Sequence, residues 1–215
     1  MTRRHYSPID HFIGNVDNAL RTIFGKPQIT ERPDPAAAIE EEPALTEQER
    51  KHVAGLMRVN HAGEVSAQGL YTGQALTARL PDVREKMERA AMEENDHLAW
   101  CEKRLDELGS HKSLLNPLWY FGSLTIGAIA GAAGDKWSLG FVAETEHQVI
   151  KHLDEHLQKL PPQDKKSRAV LKQMKEDEAH HATVALQHGG AELPGPVKLM
   201  MQTTSKIMTT LAYKI

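Results

Sequence analysis

Cysteine, aromatic side chains and strand-forming runs are all scarce in this chain. The single Cys101 excludes an internal disulfide framework and a cysteine-rich zinc site, and it fits a reducing, cytoplasmic setting. Aromatic residues make up only 5% of the sequence. Short runs rich in Val, Ile, Thr and Tyr are nearly missing, so strands are not expected. Positive charge is not in excess either: the formal net charge is −3, which argues against a dedicated nucleic-acid binder with its basic face. Arg3 and Arg4 open the chain, but no apolar stretch and no small-residue cleavage site follow them, so a secretory signal is not expected. What the chain does have is Ala, Leu, Glu, Lys, Gln and Met, the strong helix formers. An all-α fold is the expectation. Its 215 residues suit one domain with appendages, and 12 histidines give a first hint of metal chemistry.

Residues 1–45 read as an extension. Ser7-Pro8 has the spelling of a helix start. Ile9, Phe12, Ile13, Val16, Leu20, Ile23 and Phe24 then recur at helical spacing, up to Gly25 and Pro27. This amphipathic helix either packs on the main domain or lies on a membrane surface or partner. Pro27, Pro33, Pro35, Pro43 and the acidic run Glu40-Glu41-Glu42 follow, and are expected to form a flexible linker.

Residues 46–215 form the main domain. Thr46 with Glu49 spells a capping box. Long helices are expected from there to about Arg79, from Asp82 to Leu108, from about Lys136 to Leu160 and from Asp164 to His188. A third apolar segment lies near Leu118 to Ala133, and a last helix runs through the tail from Pro194. The short breaks at Leu80-Pro81 and Pro161-Pro162 imply two antiparallel hairpins. Two hairpins joined by a long connection make a ferritin-like four-helix bundle, here with a hydrophobic crossover helix, a C-terminal amphipathic helix and an N-terminal helical extension.

The chemistry shows in two repeats. Glu94-Asn95-Asp96-His97 and Glu178-Ala179-His180-His181 each place a Glu and a His three residues apart on one helix face. Each sits on the second helix of its hairpin, with a Glu on the first: Glu64 precedes Glu94 by 30 positions and Glu146 precedes Glu178 by 32. That is the ligand set of a dinuclear carboxylate centre. In each helix the Glu interrupts an apolar stripe, as in Met57, Asn60, Glu64, Ala67, Tyr71 or Val170, Met174, Glu178, His181, Ala185. Unpaired buried carboxylates are costly, so four that converge need cations. Oxygen ligands with imidazole suit Fe, with Mn allowed on spacing alone, better than Zn or Ca. Glu93, Asp96, Asp177 and His180 fall one step off the stripe. They read as solvated or as supports, with Asp96 or Asp177 able to orient a ligand histidine. Glu144, two residues from Glu146, points elsewhere. His61 reads as a support and Cys101 as core.

Arg58-Val59-Asn60-His61-Ala62-Gly63-Glu64 and Tyr71-Thr72-Gly73-Gln74, with Glu94-Asn95-Asp96-His97-Leu98 and Glu178-Ala179-His180-His181, closely resemble the demethoxyubiquinone hydroxylases. The resemblance runs from about Glu47 to the C-terminus. It implies a di-iron monooxygenase of ubiquinone biosynthesis, with two Fe ions on Glu64, Glu94, His97, Glu146, Glu178 and His181. It implies ring hydroxylation of a polyprenyl demethoxy-benzoquinol, O2 as co-substrate and NADH as the ultimate reductant. The motif around Glu144-Thr145-Glu146-His147 departs from the family, and its register is set by the stripe and by His152, a residue the resemblance ties to electron transfer from the reductant. Tyr71 either lines the substrate or oxygen pocket or is a core tyrosine. A ferritin-like iron-binding or ferroxidase protein, and another di-iron oxidoreductase, are the competing readings.

A polyprenyl substrate requires a route from lipid. From Ser113 to Gly134 there is no charged side chain. Asn116-Pro117 and the glycines weaken a spanning helix, so this segment reads as interfacial or re-entrant, or else as a crossover packed in a bundle or dimer. Ser123, Gly127 and Gly131 form a small-residue stripe that admits a close neighbour. In the tail, Val197, Met200, Met201, Ile207, Met208 and Leu211, with Lys198, Lys206 and Lys214, form a basic amphipathic helix. The expected setting is peripheral, at the cytoplasmic face of the cell membrane. An oligomer and contacts with other ubiquinone-biosynthesis proteins are compatible with it; no nucleic acid is expected.

Overall fold

A computed structural model describes residues 7–30 and 32–215. These residues hold α1 (Pro8–Phe24), α2 (Glu47–Thr77), α3 (Pro81–Glu107), α4 (Asn116–Ala132), α5 (Asp135–Lys159), α6 (Lys165–Gln187) and α7 (Gly195–Ala212), with no strand among them. The helix ends follow local chemistry. Ser7 and Asp10 close a capping box on α1, and Thr46 and Glu49 do so on α2, each satisfying otherwise orphaned N–H groups. Asp164 accepts from the Ser167 N–H to cap α6. Gly109, Gly134 and Gly189 take the left-handed backbone at the breaks.

The hairpins α2/α3 and α5/α6 form the four-helix, ferritin-like bundle, and α4 crosses between them along α2. That crossing is backbone against backbone. A Cβ on Gly73 would lie 2.7 Å from the Ala128 nitrogen, and one on Gly127 would lie 2.9 Å from the Leu70 carbonyl carbon. Gly69 and Gly131 are equally crowded, by Tyr120 and Thr77. Gly127 and Gly131 of the small-residue stripe thus serve the close approach, while Ser123 faces a cavity instead.

Two apolar clusters fill the bundle. One joins Val53, Met57, Cys101, Leu105, Leu153 and Leu171. The other joins Tyr71, Met87, Leu139, Val142 and Ala185. On all four helices the six metal-ligand candidates fall between the residues of one cluster and those of the other. The polar belt is therefore walled by apolar layers on both sides.

Residues 32–45 depart from the flexible linker expected from their prolines. Asp34 pairs with Lys103 at 2.6 Å, Ala36 is buried in the core, and Glu42 pairs with Arg104 at 2.7 Å and accepts the N–H groups of Lys165 and Lys166. Asp34 accepts the N–H groups of Ala36 and Ala37 to make a local turn, and the segment's acids find tertiary partners as well. α1 packs through Thr22 and Ile23 and leaves Ile9, Ile13, Val16, Leu20 and Phe24 exposed; the Phe12 side chain lies outside the described residues, as do Arg3 and Arg4. No described helix is long and apolar enough to cross a membrane.

Candidate metal centre

Helical spacing delivers the six residues to one point. Glu64, Glu94, His97 and Glu178 offer one ligand atom each, all within 4.8 Å of one another, and so do Glu94, Glu146, Glu178 and His181. Glu94 and Glu178 belong to both groups. Each group adds one further Glu and one His of its own. All six side chains are buried. His97 Nδ1 lies 2.8 Å from Glu94, 3.4 Å from Glu178 and 3.6 Å from Glu64. His181 Nδ1 lies 3.2 Å from Glu94 and 3.4 Å from Glu178.

The far side of each imidazole is held by an acid from the opposite hairpin. His97 Nε2 lies 2.8 Å from Asp177, and His181 Nε2 lies 2.7 Å from Glu93. Ionised carboxylates only accept, so each Nε2–H donates and each Nδ1 is turned into the cluster. Asp177 and Glu93 are the residues immediately before the two motif glutamates. The arrangement is reciprocal: the acid preceding each Glu-x-x-His serves the histidine of the other. An acid at that position in both motifs was the signal that would have picked out Glu93. Asp96 is buried but bonds to Thr30 and Arg32 instead, and His180 is exposed. Glu144 faces α7, where it pairs with Lys198 at 3.4 Å.

Desolvation is the largest effect on each of the six candidate ligands. It drives Glu64 and Glu146 well above the ordinary carboxylate value, reinforced by the charges of Glu94 and Glu178 respectively. Burial opposes charge on His97, but Glu94 and the hydrogen bonds of Asp177, Glu178 and Glu64 outweigh it and hold the imidazole well above its usual range. The same contest raises His181 and lowers Glu94. The site therefore selects for positive charge at its centre.

The donor set fits a pair of metal ions. Glu94 Oε1, Glu146 Oε1, Glu178 Oε2 and His181 Nδ1 are buried without a hydrogen-bond partner, a costly state unless a cation takes those lone pairs. Four ionised carboxylates and two neutral imidazoles match the charge of two divalent ions, and an oxygen-rich set with one imidazole per metal suits Fe or Mn.

A cavity of about 360 Å³ opens onto this belt. Glu64, Glu146 and Glu178 form its floor, and α4 and α7 form its walls through Leu118, Trp119, Ile126, Met201 and Met208. Its lining is mainly apolar, yet Asn60 Nδ2, Trp119 Nε1 and His152 Nε2 are buried there without partners. The His152 and His156 rings meet at a 59° tilt with centroids 3.8 Å apart, and His156 Nδ1 lies 2.9 Å from Asn60 Oδ1. Burial depresses His152 to about 4, so it is neutral at pH 7. Tyr71 does not reach this cavity. It is fully buried, with its hydroxyl unpartnered, beside a separate pocket lined by Asn15, Asn18, Gln68 and Asn95. His61 is buried on α2 outside both ligand groups.

The family described as "Ubiquinone biosynthesis protein COQ7" matches residues 51–212. This chain belongs to the COQ7 family. A protein of Nitrosococcus oceani named 3-demethoxyubiquinol 3-hydroxylase is 61% identical over 215 residues, covering 100% of both chains. Proteins of the same name are 56% identical in Pseudomonas fluorescens, covering 100% of this chain and 99% of the relative, and 57% identical in Acinetobacter baumannii, covering 98% and 99%. All six candidate ligands lie inside the COQ7 match, as do Asp177 and Glu93. Thr30 and residues 32–45, which run along α3 and α6, lie outside it.

Proposed function

We propose that this protein is a 3-demethoxyubiquinol 3-hydroxylase, a monooxygenase of ubiquinone biosynthesis whose reaction centre is the Glu64, Glu94, His97, Glu146, Glu178, His181 cluster. The observation that carries the reading is the junction of that cluster with an apolar cavity. Three of the six carboxylate and imidazole ligands face the space where an apolar ring would sit.

The six residues would hold two iron ions, which would supply the redox chemistry for activating O2. The chain supplies the rest. Glu94 and Glu178, common to both ligand groups, would serve both ions. Asp177 and Glu93 fix the imidazole tautomers. Asn60, Trp119 and His152 offer polar atoms to the oxygens of a quinol ring on an otherwise apolar wall, an arrangement that sets orientation. Met201 and Met208 adapt to a flexible prenyl chain, and the apolar walls keep bulk water from the ring. In the balanced reaction one oxygen atom of O2 replaces a ring hydrogen as hydroxyl. The other leaves as water, with two electrons from NADH and one further proton.

Our reading also seats the protein peripherally on the cytoplasmic face of the cell membrane. Leu118, Phe121 and Ile129 of α4 and Leu199, Met200 and Ile207 of α7 are exposed apolar residues on the two helices that wall the cavity. Lys198 is engaged by Glu144 and Glu192, so apolar contact leads the attachment and only the exposed Lys206 and Lys214 add charge to it. Flotation with liposomes tests it: binding that survives high salt and falls in Phe121→Asp supports the seat, and no binding refutes it.

The activity test is incubation of the iron-loaded protein with demethoxyquinol and NADH without air, followed by ¹⁸O2. One heavy oxygen on the ring supports the proposal. Oxidation of added ferrous iron with no ring product would point to a ferroxidase instead.

A further inference from the structure

Arg32 lies in the extension, outside the COQ7 match, yet it reaches the back of the metal belt. Its Nε donates to Asp96 at 2.7 Å, its Nη1 donates to Asp177 at 2.7 Å, and its Nη2 donates to the Glu93 carbonyl at 3.2 Å. The guanidinium also lies over the Trp100 ring, 5.1 Å from its centroid, and Trp100 in turn contacts the His97 ring at 5.3 Å. Thr30 ties the same stretch down: its N–H and its hydroxyl each donate to Asp96 at 2.7 Å. Asp96 is fully buried, and every one of these bonds to it comes from the extension.

We propose that Arg32 is a positioning residue for one of the two metal positions, and that Thr30 and Arg32 form a strap holding His97 in its ligating orientation. The inference rests on the metal-centre reading above. Arg32 fixes Asp177, Asp177 accepts from His97 Nε2, and His97 Nδ1 is thereby aimed at Glu94, Glu64 and Glu178. A planar guanidinium spans two carboxylates and a carbonyl at once, which an ammonium group does not reproduce. The other histidine has a different support. His181 is held by Glu93, whose side chain pairs with Arg89, a half-exposed residue of its own helix. The strap's bonds to side chains therefore serve the Glu64–His97 group, and toward the Glu146–His181 group it reaches only the backbone carbonyl of Glu93. A segment of irregular chain has become part of a metal site's support, and partners of this kind typically govern metal affinity by about 10–100-fold.

The test is anaerobic ferrous-iron titration of the metal-free full-length protein, read by iron per chain and by near-infrared magnetic circular dichroism of the bound ferrous ions. Wild type, Arg32→Gln, Arg32→Lys and Lys103→Gln are compared. Lys103→Gln breaks the ion pair to Asp34 in the same segment, away from His97. Wild type is expected to take up two irons per chain. Arg32→Gln is expected to keep one step unchanged and to weaken the other by about 10–100-fold, with only one ion's ligand-field bands altered. Arg32→Lys should recover part of that loss, and Lys103→Gln should behave as wild type. The strap is refuted if Arg32→Gln binds two irons with wild-type affinity and bands, or if Lys103→Gln weakens the same step equally. Absence of iron uptake by wild type would overturn the metal-centre reading itself, and the strap with it.

Discussion

Gly122 and Gly127 lie on the same helix, yet the same replacement should move stability in opposite directions. A Cβ on Gly127 would sit 2.9 and 3.0 Å from backbone atoms of Leu70, and nearer still to its carbonyl oxygen. Carbon contacts prefer about 3.5–4.0 Å, and a backbone cannot rotate aside as a side chain can. α2 and α4 would therefore have to part by roughly 0.5–1 Å to reach that contact distance. Overpacking of this kind costs about 1–3 kcal/mol, opposed by about 1 kcal/mol of helix propensity gained when Gly becomes Ala. A Cβ on Gly122 meets nothing within 4 Å, so Gly122→Ala keeps only the gain. The two variants should differ by about 1–3 kcal/mol, or roughly 2–12 °C in melting temperature at this chain length. Urea unfolding measures it, with the midpoint shifted and the slope unchanged. α4 also walls the cavity, so Gly127→Ala should raise the KM for quinol. Equal midpoints for the two variants would refute the claim that α4 crosses α2 at backbone contact.

His61 should make the fold sensitive to mild acid. Burial first, and then the charge of Lys112, lowers it from 6.5 to about 3, so the folded state favours the neutral ring. Its contribution is complete above pH 6.5 and is lost as pH falls from there toward 3, amounting to about 2 kcal/mol by pH 5. Urea midpoints of wild type and His61→Gln between pH 7.5 and 5 should converge as pH falls; parallel curves would contradict this. Separately, Glu146→Ala should lower iron from two to one per chain, whereas Glu178→Ala should lower both uptake steps because Glu178 belongs to both groups. Iron analysis after desalting decides it, and equal losses in the two variants would count against shared ligation.

The bundle was legible because its signals are local and periodic. Thr46 with Glu49 marked the start of α2, the breaks at Pro81 and Pro161-Pro162 marked the hairpins, and a Glu in each apolar stripe marked the buried belt. The structure brings all six of those ligand candidates together. Partners that depend on the opposite hairpin were harder to read. Glu93 and Asp177 stand one step off the stripe of their own helices, and only the packing of α3 on α6 brings each to the other's histidine. The extension was least legible. Its prolines and acids resemble a solvated linker, and nothing local in the sequence reveals that Asp34, Glu42 and Arg32 find Lys103, Arg104 and Asp177. Gly69 and Gly73 were likewise unremarkable within α2 until α4 was seen to lie across them.

The central claim is that six side chains from four helices hold a pair of metal ions at the floor of the cavity. Anomalous diffraction at the iron absorption edge, from crystals of anaerobically iron-loaded protein, tests it directly. Two peaks are expected, one bounded by Glu64 and His97, the other by Glu146 and His181, with Glu94 and Glu178 touching both. A loaded crystal with no peak inside the bundle, or with peaks only on its surface, would contradict the account.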